Sequence, residues 1–338
     1  MAASPFIDLT VGEFLWGYQD SLSDIINNVL RFKYKLSVPM FGIFAMKNRT
    51  QEDMVTIFTG EEDTMMTGVI TQYGEKTSLD YWSTRECNRI DGTDGTIYPL
   101  SAIKPNATLY LYVKEMCRRM PFVYDTSKVD DHGITVYRYN LAKDVFESGK
   151  VNPGNRCFCN HRIREVECMP SGVFNASPCA FGGPIITSLP HFMHGDPILL
   201  QDFEGLSPHP ELHESFVEID PKLGLPMSGK SRFQLNVMVR KAAVLSRKPY
   251  RDQMILPVSW MDYGVDRLPD DLSSMIYNLV LFIDMTEVYL SACFVIAIVV
   301  FCGLIVRKLV PRRRSGLFNR NLELSTVVMP LVVSPEKV

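Results

Sequence analysis

The sequence has almost no excess of charge of either sign, with 35 lysines and arginines, 38 aspartates and glutamates, and a net charge of −3. Proteins that bind nucleic acid carry a basic patch or stripe that neutralises phosphates. The balanced charge therefore argues against nucleic acid as a partner. The sequence also has no internal repeat or low-complexity tract, so its 338 residues can form one large domain or two of medium size.

The sequence patterns of common hydrolases and metalloenzymes are also missing. There is no G-x-S-x-G nucleophile elbow and no H-E-x-x-H zinc motif. His209 and His213 are four residues apart, but Pro210 disfavours the helical face that such a metal pair needs. His191 and His194 lie beside prolines, where a histidine is more often a hydrogen-bonded structural residue. We therefore expect no catalytic centre, no metal and no cofactor, and a protein that binds and transfers rather than catalyses.

A single long apolar run lies towards the C-terminus. Residues 288–306 read VYLSACFVIAIVVFCGLIV, nineteen residues without a charge. As a helix they cover roughly 28 Å, close to the ~30 Å hydrocarbon core of a membrane. The basic residues Arg307, Lys308, Arg312, Arg313 and Arg314 follow directly. The positive-inside rule then predicts an extracellular or lumenal region over residues 1–287, a transmembrane helix over 288–306 and a cytoplasmic tail over 307–338.

The N-terminal residues MAASPFIDLTVGEFLWGYQD contain neither the basic nor the apolar segment of a signal peptide. A region that is exported across a membrane needs some such signal. We therefore expect either an unusual insertion through the C-terminal span or a natural chain that begins further upstream.

Six of the eight cysteines precede the apolar run: Cys87, Cys117, Cys157, Cys159, Cys168 and Cys179. The segment CFCNHRIREVEC suggests zinc, but its C-x-C spacing differs from the usual C-x₂₋₄-C ligand pair. An even number of cysteines outside a membrane favours up to three disulfides, with fifteen connectivities open. Glycosylation sequons at Asn48, Asn106 and Asn175 agree with an exterior location, although Pro178 weakens the third.

The segment GLPMSGKS at residues 224–231 matches the phosphate-binding pattern G-x-x-x-x-G-K-[ST]. A functional loop of this kind is followed by a helix whose N-terminus faces the phosphates. Here RFQLNVMVRK follows, and its apolar and polar residues alternate as in a strand. We interpret the match as a coincidence in a β-hairpin loop.

The rest of the chain up to about residue 270 is dominated by strand and turn patterns, such as ITVYRYNL at 134–141 and TLYLYVKEM at 108–116. Helical periodicity is limited to the segment before the membrane run and to residues 10–32, where apolar residues recur at helical spacing. The prediction is a mainly β fold with a few helices and one C-terminal transmembrane helix.

Five motifs, in order, resemble the class B scavenger receptor family: GEFLWGYQDSL, LDYWSTRECNRIDGTDGT, VNPGNRCFCN, GVFNASPCAFGGPIITSLPHFMHGDP and HESFVEIDPKLGLPM. The resemblance extends from about residue 10 to the apolar run. It implies an antiparallel β-barrel ectodomain, here partial, crossed by a hydrophobic tunnel. It also implies disulfides Cys87–Cys157, Cys117–Cys179 and Cys159–Cys168. Family members carry NGT where this chain has DGT at Asp91, so that glycan is not expected.

The resemblance further implies a cell-surface receptor that binds lipoproteins or lipids and takes up lipid through the tunnel. Phe233, Leu235, Val237 and Val239, on one face of a predicted strand, are candidates for lining it; the alternative is that such faces only fill the core of the barrel. The alternative is a protein-binding receptor for apoptotic-cell recognition, adhesion or lysosomal enzyme trafficking. Residues 307–338 contain no acidic-dileucine signal, which favours the plasma membrane over lysosomes. Family members also have an N-terminal membrane helix and more ectodomain before LWGY, so we expect the natural protein to be longer.

Overall fold

The computed structural model describes residues 7–19, 28, 31–32, 42–45, 54–161, 166–180, 182–239 and 251–309. Its main feature is an eight-stranded sheet that curls as half of a barrel, with the strand order β3-β4-β5-β10-β11-β9-β8 and β12 paired to β11. These strands are β3 (Thr108–Val113), β4 (Arg118–Val129), β5 (Thr135–Leu141), β8 (Val173–Asn175), β9 (Ile185–Ser188), β10 (Phe216–Ile219), β11 (Pro226–Val239) and β12 (Met254–Val265). The predicted mainly β fold is confirmed.

Two small antiparallel pairs accompany this sheet. One joins β1 (Val55–Ile57) to β2 (Ile70–Tyr73), and the other joins β6 (Asn160–His161) to β7 (Val166–Glu167). All strand pairings within the large sheet are antiparallel. Antiparallel neighbours can be joined by short turns, which agrees with the frequent Gly, Pro, Asn and Asp clusters of the sequence.

Strand β11 is the centre of the sheet because it contacts three neighbours. Its first half pairs with β10 and its second half with β9, while β12 pairs along residues 229–239. Since β12 overlaps both of the other partners, it occupies the opposite edge of β11. Both edges of β11 are thus paired with neighbouring strands, and this strand positions the residues discussed below.

The segment that matches a phosphate-binding loop is a β-hairpin, as predicted. The turn between β10 and β11 is closed by a hydrogen bond from the Asp220 N–H to the Leu225 carbonyl, 2.9 Å. Gly224 adopts φ +73°, a conformation that favours glycine. Gly229, Lys230 and Ser231 lie inside β11 and pair with β10 or β12. No helix begins at Lys230, so the segment lacks the dipole that a phosphate site uses.

The N-terminal helix is shorter than its apolar periodicity predicts. Helix α1 (Val11–Trp16) begins with a capping box, in which Thr10 and Glu13 each accept from the other's backbone N–H. It ends at Gly17, whose φ of +122° is not helical. The prediction of a continuous helix is therefore wrong from Gly17 to Gln19. Most of the remaining stripe, residues 20–27 and 29–30, lies outside the described residues.

The chain divides into two compact units, Met1–Val280 and Leu281–Val338. The core of the first unit contains buried side chains from the large sheet and from residues 70–103, among them Leu109, Met120, Tyr139 and Ile219. A second cluster contains Ile134, which directly precedes β5, Val136 of β5, Met227 of β11, and Ile276 and Val280. The last two belong to the first turns of helix α3 (Asp270–Leu309), which follows a single turn, α2 (Pro210–His213).

Helix α3 continues into the second unit and contains the predicted transmembrane segment. It is 40 residues long and apolar enough to cross a membrane. Residues 285–309 are all exposed, as expected for side chains that face lipid rather than a protein core. At about 1.5 Å per residue the helix measures roughly 60 Å, twice the hydrocarbon thickness, so only part of it is needed to span the bilayer. The tail residues 310–338 lie outside the described residues.

Candidate functional site

The four candidate tunnel residues share one face of β11, but their burial differs. Phe233 is buried in the main core, with its ring centroid 6.4 Å from that of Phe146. Leu235, Val237 and Val239 are only half-buried. The apolar face therefore passes from core into partly exposed surface along the strand.

Neighbouring strands extend this half-buried apolar face sideways. Residues directly opposite each other on paired strands share a face. Ile185 of β9 and Leu256 of β12 are opposite Val237, and Met254 of β12 is opposite Val239. All three partners are half-buried or in contact with the core. The result is an apolar strip, defined here as Leu235, Val237, Val239, Ile185, Leu256 and Met254, that crosses three strands.

On the opposite face of β11 two polar residues are fully buried, which alternation alone did not predict. Gln234 is 2% exposed and Asn236 is 0% exposed. The Asn236 amide donates to Ser188 Oγ at 3.0 Å and to the Ile186 carbonyl at 3.2 Å, and accepts from Gln234 Nε2 at 2.8 Å. Gln234 Oε1 in turn accepts from the His191 N–H at 2.8 Å. Through the His191 N–H, this network connects the segment after β9 to β11 of the sheet.

A histidine cluster covers the same buried face. The rings of His191 and His213 stack, and Trp260 of β12 contacts both edge-on, with centroids 6.3 and 5.6 Å away. His191 Nδ1 accepts from the Ser207 N–H, and His213 Nδ1 accepts from the His209 N–H, each at 2.9 Å. His213 is 4% exposed, and burial, followed by the charges of His191, His209 and Arg232, lowers its pKa. These histidines act as structural hydrogen-bond acceptors, in agreement with the sequence interpretation.

All six cysteines outside helix α3 form disulfides. The pairs are Cys87–Cys157, Cys117–Cys179 and Cys159–Cys168, the same pairing that the family resemblance implies. Cys157, Cys159 and Cys168 are therefore not zinc ligands. Within the described part of the chain, no group of three or more His, Cys, Asp or Glu residues is placed to hold a metal ion. Cys293 and Cys302 lie exposed on helix α3.

The sequons differ in accessibility. Asn106 is exposed and lies in the turn before β3, with φ +61°. Asn175, at the end of β8, is half-buried, and its Oδ1 accepts from the Ser177 N–H at 3.0 Å. Asn48 lies outside the described residues. Asn106 therefore offers the more accessible acceptor for a glycan.

The chain is similar to known proteins over most of its length. The model of the CD36 family matches residues 1–308. This chain belongs to the CD36 family. A CD36-family relative from Cricetulus griseus, scavenger receptor class B member 1, is 31% identical over 276 residues. Another, lysosome membrane protein 2 of Mus musculus, is 36% identical over 261 residues, and the human protein of that name is 35% identical over 262.

These matches cover most of this CD36-family chain and about half of its relatives. The hamster receptor alignment covers 82% of the chain and 52% of that receptor, and the mouse lysosomal alignment covers 77% and 52%. Both relatives bear names of a receptor or a membrane protein rather than of an enzyme. The chain thus spans about half the length of the curated relatives that it matches.

Proposed function

We propose that this protein is a plasma-membrane receptor that binds lipids or lipoproteins and takes up lipid along a hydrophobic passage. Its ectodomain is residues 1–287, its membrane span is 288–306 and its tail, 307–338, is cytoplasmic. The similarity to scavenger receptor class B member 1 supports the receptor class. The helix that is apolar enough to cross a membrane supports the anchor.

The apolar strip is the observation on which the lipid-binding role rests. Strand pairing holds Leu235 and Val237 on both sides and Val239 on the β12 side, so the three residues form a preorganised surface rather than a mobile loop. Their partial exposure leaves apolar area that an acyl chain can cover. Burying such area provides roughly 25 cal/mol per Å², which is the main favourable term for a lipid tail. Phe233 belongs to the core at one end of the strip.

The test is uptake of a fluorescent fatty acid and of labelled lipoprotein lipid by cells that express the protein at their surface. Val237→Trp fills the strip with a bulky ring, and we expect uptake to fall severalfold while surface expression is maintained. Val258→Trp is the matched control, because Val258 is an exposed valine on the neighbouring strand β12. Equal uptake by the wild type and Val237→Trp, at equal amounts of protein on the surface, would contradict lipid uptake along the apolar strip.

Similarity to lysosome membrane protein 2 favours a second candidate, a protein-binding receptor of the lysosomal membrane. The two candidates differ in location and in ligand. Lysosomal localisation of the tagged protein, together with protein binding and no lipid-dependent uptake, would select the second candidate. Surface localisation with saturable lipid uptake would select the first.

A further inference from the structure

Arg118 is a buried cation in the disulfide-linked part of the fold. It follows Cys117 at the start of β4 and is 5% exposed. Its neighbour Arg119 points the other way and forms ion pairs with Asp91 and Glu86 on the surface. The strand alternation thus directs one arginine to carboxylates and the other into the protein.

Aromatic rings surround the Arg118 guanidinium. Its Cζ lies 4.0 Å from the ring centroid of Phe158, 4.8 Å from that of Phe174 and 6.0 Å from that of Phe146. Cation–π contacts of this kind stabilise a desolvated cation more than an exposed one. They act on the charge, whereas the five N–H groups of a guanidinium still require acceptors.

Those acceptors are missing among the described residues. Arg118 donates no hydrogen bond to any of them, and its Nε is buried without a partner. The exposed Asp144 and the half-buried Glu147 are distant from Arg118 in sequence but near it in space, and neither accepts a hydrogen bond from it. Burial lowers the pKa of Arg118 to about 9, with the charge of Asp144 opposing this shift, so the side chain remains a cation at neutral pH. A buried cation without acceptors is costly.

A cavity of about 30 Å³ lies against this cation and is lined by Arg118, Phe158, Phe174, Ser148 and Asn175, among others. The Ser148 hydroxyl accepts from the Lys150 N–H at 3.4 Å, which leaves its O–H available as a donor. Asn175 Oδ1 accepts from Ser177, which leaves its Nδ2 available. The lining therefore combines a positive charge with further hydrogen-bond donors, the composition of an anion site.

We propose that this cavity binds one small monovalent anion, of the size of chloride or formate, through Arg118. A water molecule needs about 10–15 Å³ of such space, so 30 Å³ accommodates one small anion and excludes larger ones. Glu147 is also among the lining residues, and a carboxylate near the cavity raises the cost of each negative charge placed there, which favours an anion of one charge over one of two. The bound anion links β4 to the segments of two disulfides, since Cys159 lines the cavity and Cys117 precedes Arg118.

Thermal unfolding of the purified full-length protein in detergent tests the site. Sodium chloride is titrated against sodium gluconate at constant ionic strength, because gluconate is too large for the cavity. We expect chloride to raise Tm saturably by about 2–4 °C, and gluconate to have no effect. The Arg118→Met and Ser148→Ala variants should lose the chloride response. Arg119→Gln is the control and should retain it, since Arg119 contacts Asp91, Glu86 and the ring of Tyr110 and does not line the cavity.

A second measurement covers the case in which Arg118→Met does not fold. Crystals of the wild-type protein soaked in bromide should show an anomalous peak within hydrogen-bond distance of Arg118. Equal Tm curves in the two salts, a chloride response that persists in Ser148→Ala, or water alone at the site would each overturn the proposal.

Discussion

The rings of His191 and His213 stack with their centroids 4.3 Å apart and their planes 16° from parallel. Each ring accepts a backbone N–H at Nδ1, so each neutral ring carries its proton on Nε2. Protonation of His213 Nδ1 would place a new N–H against the N–H of His209. The arrangement thus opposes protonation of His213, in the same direction as its lowered pKa.

We expect the stability of the folded ectodomain to decrease as the pH falls from about 6.5 towards 5. Burial and the neighbouring His191, His209 and Arg232 hold the folded-state pKa of His213 below its unfolded value near 6.5. The unfolded chain then binds protons first, so the stabilisation is full above pH ~6.5 and is lost as the pH falls through the folded pKa. Measurement of Tm at intervals between pH 7.5 and 5.0 checks the expected decline.

Other charged groups also face the histidine cluster, so the pH effect needs a control that isolates His213. Arg232 is ion-paired with Asp262 at 3.2 Å, and His194 is 3.5 Å from Glu214, so charges of both signs face the cluster. His213→Asn retains an acceptor for the His209 N–H but cannot be protonated. Its Tm should therefore decline less than that of the wild type over the same pH range. An identical decline in both proteins would assign the effect to other groups.

Buried Glu218 should add a separate loss of stability at lower pH. Burial acts to raise its pKa, but hydrogen bonds from Lys128, Ser228 and Arg138 outweigh burial and lower it. Its stabilisation is thus present above its unfolded pKa, near 4.3, and is lost as the pH falls through the folded value. The loss of stability below pH ~4.3 should therefore be smaller in Glu218→Gln than in the wild type. An equal loss in both proteins would show that Glu218 is not its source.

The disulfides should contribute unequally to stability. Chain-entropy estimates give roughly 2.6 kcal/mol for Cys159–Cys168 and roughly 4.3 kcal/mol for Cys117–Cys179, because their sequence separations are 9 and 62 residues. Paired Cys→Ser variants measured by denaturant unfolding should follow this order. Non-reducing peptide mapping provides the check on connectivity, and free thiols at these positions would contradict the pairing.

Glycosylation at Asn106 provides a test of orientation. If residues 1–287 are extracellular or lumenal, Asn106 carries a glycan. Asn106→Gln should then run faster on a gel, and glycosidase treatment should remove this difference from the wild type. Asn175→Gln should have a smaller effect, since Asn175 is half-buried and precedes Pro178 by only three positions. A C-terminal tag should be protected from external protease on intact cells. Digestion of that tag, or absence of any glycan on Asn106 in a glycosylating host, would overturn the proposed orientation.

Asn236→Leu should lower the free energy of unfolding by about 2–4 kcal/mol. The substitution leaves Gln234 and Ser188 buried without one of their partners, and such groups cost about 1–3 kcal/mol each. Thr126→Ala, at an exposed position of β4, should change stability by less than about 0.5 kcal/mol. Chemical denaturation of both variants checks the difference. A neutral Asn236→Leu would show that the network has no energetic role.

Some features were determined by sequence pattern alone. The apolar residues 288–306 lie in a long exposed helix, and strands at 135–141 and within 226–239 occur where apolar and polar residues alternate. These predictions succeed because each depends on local periodicity or on the length of an apolar run. Cysteine spacing alone leaves fifteen connectivities open. The expected pairing of the six cysteines therefore came from the family resemblance.

Other features were decided only by tertiary structure. The polar residues Gln234 and Asn236 are buried because the chain after β9 folds over them, and alternation cannot report what covers a face. Helix α1 ends at Gly17 although its apolar spacing continues, because the backbone there takes a positive φ. The Arg118 aromatic cage joins residues 118, 146, 158 and 174 across disulfide-linked segments. Such contacts between distant residues depend on how the strands pair, and local sequence does not encode that pairing.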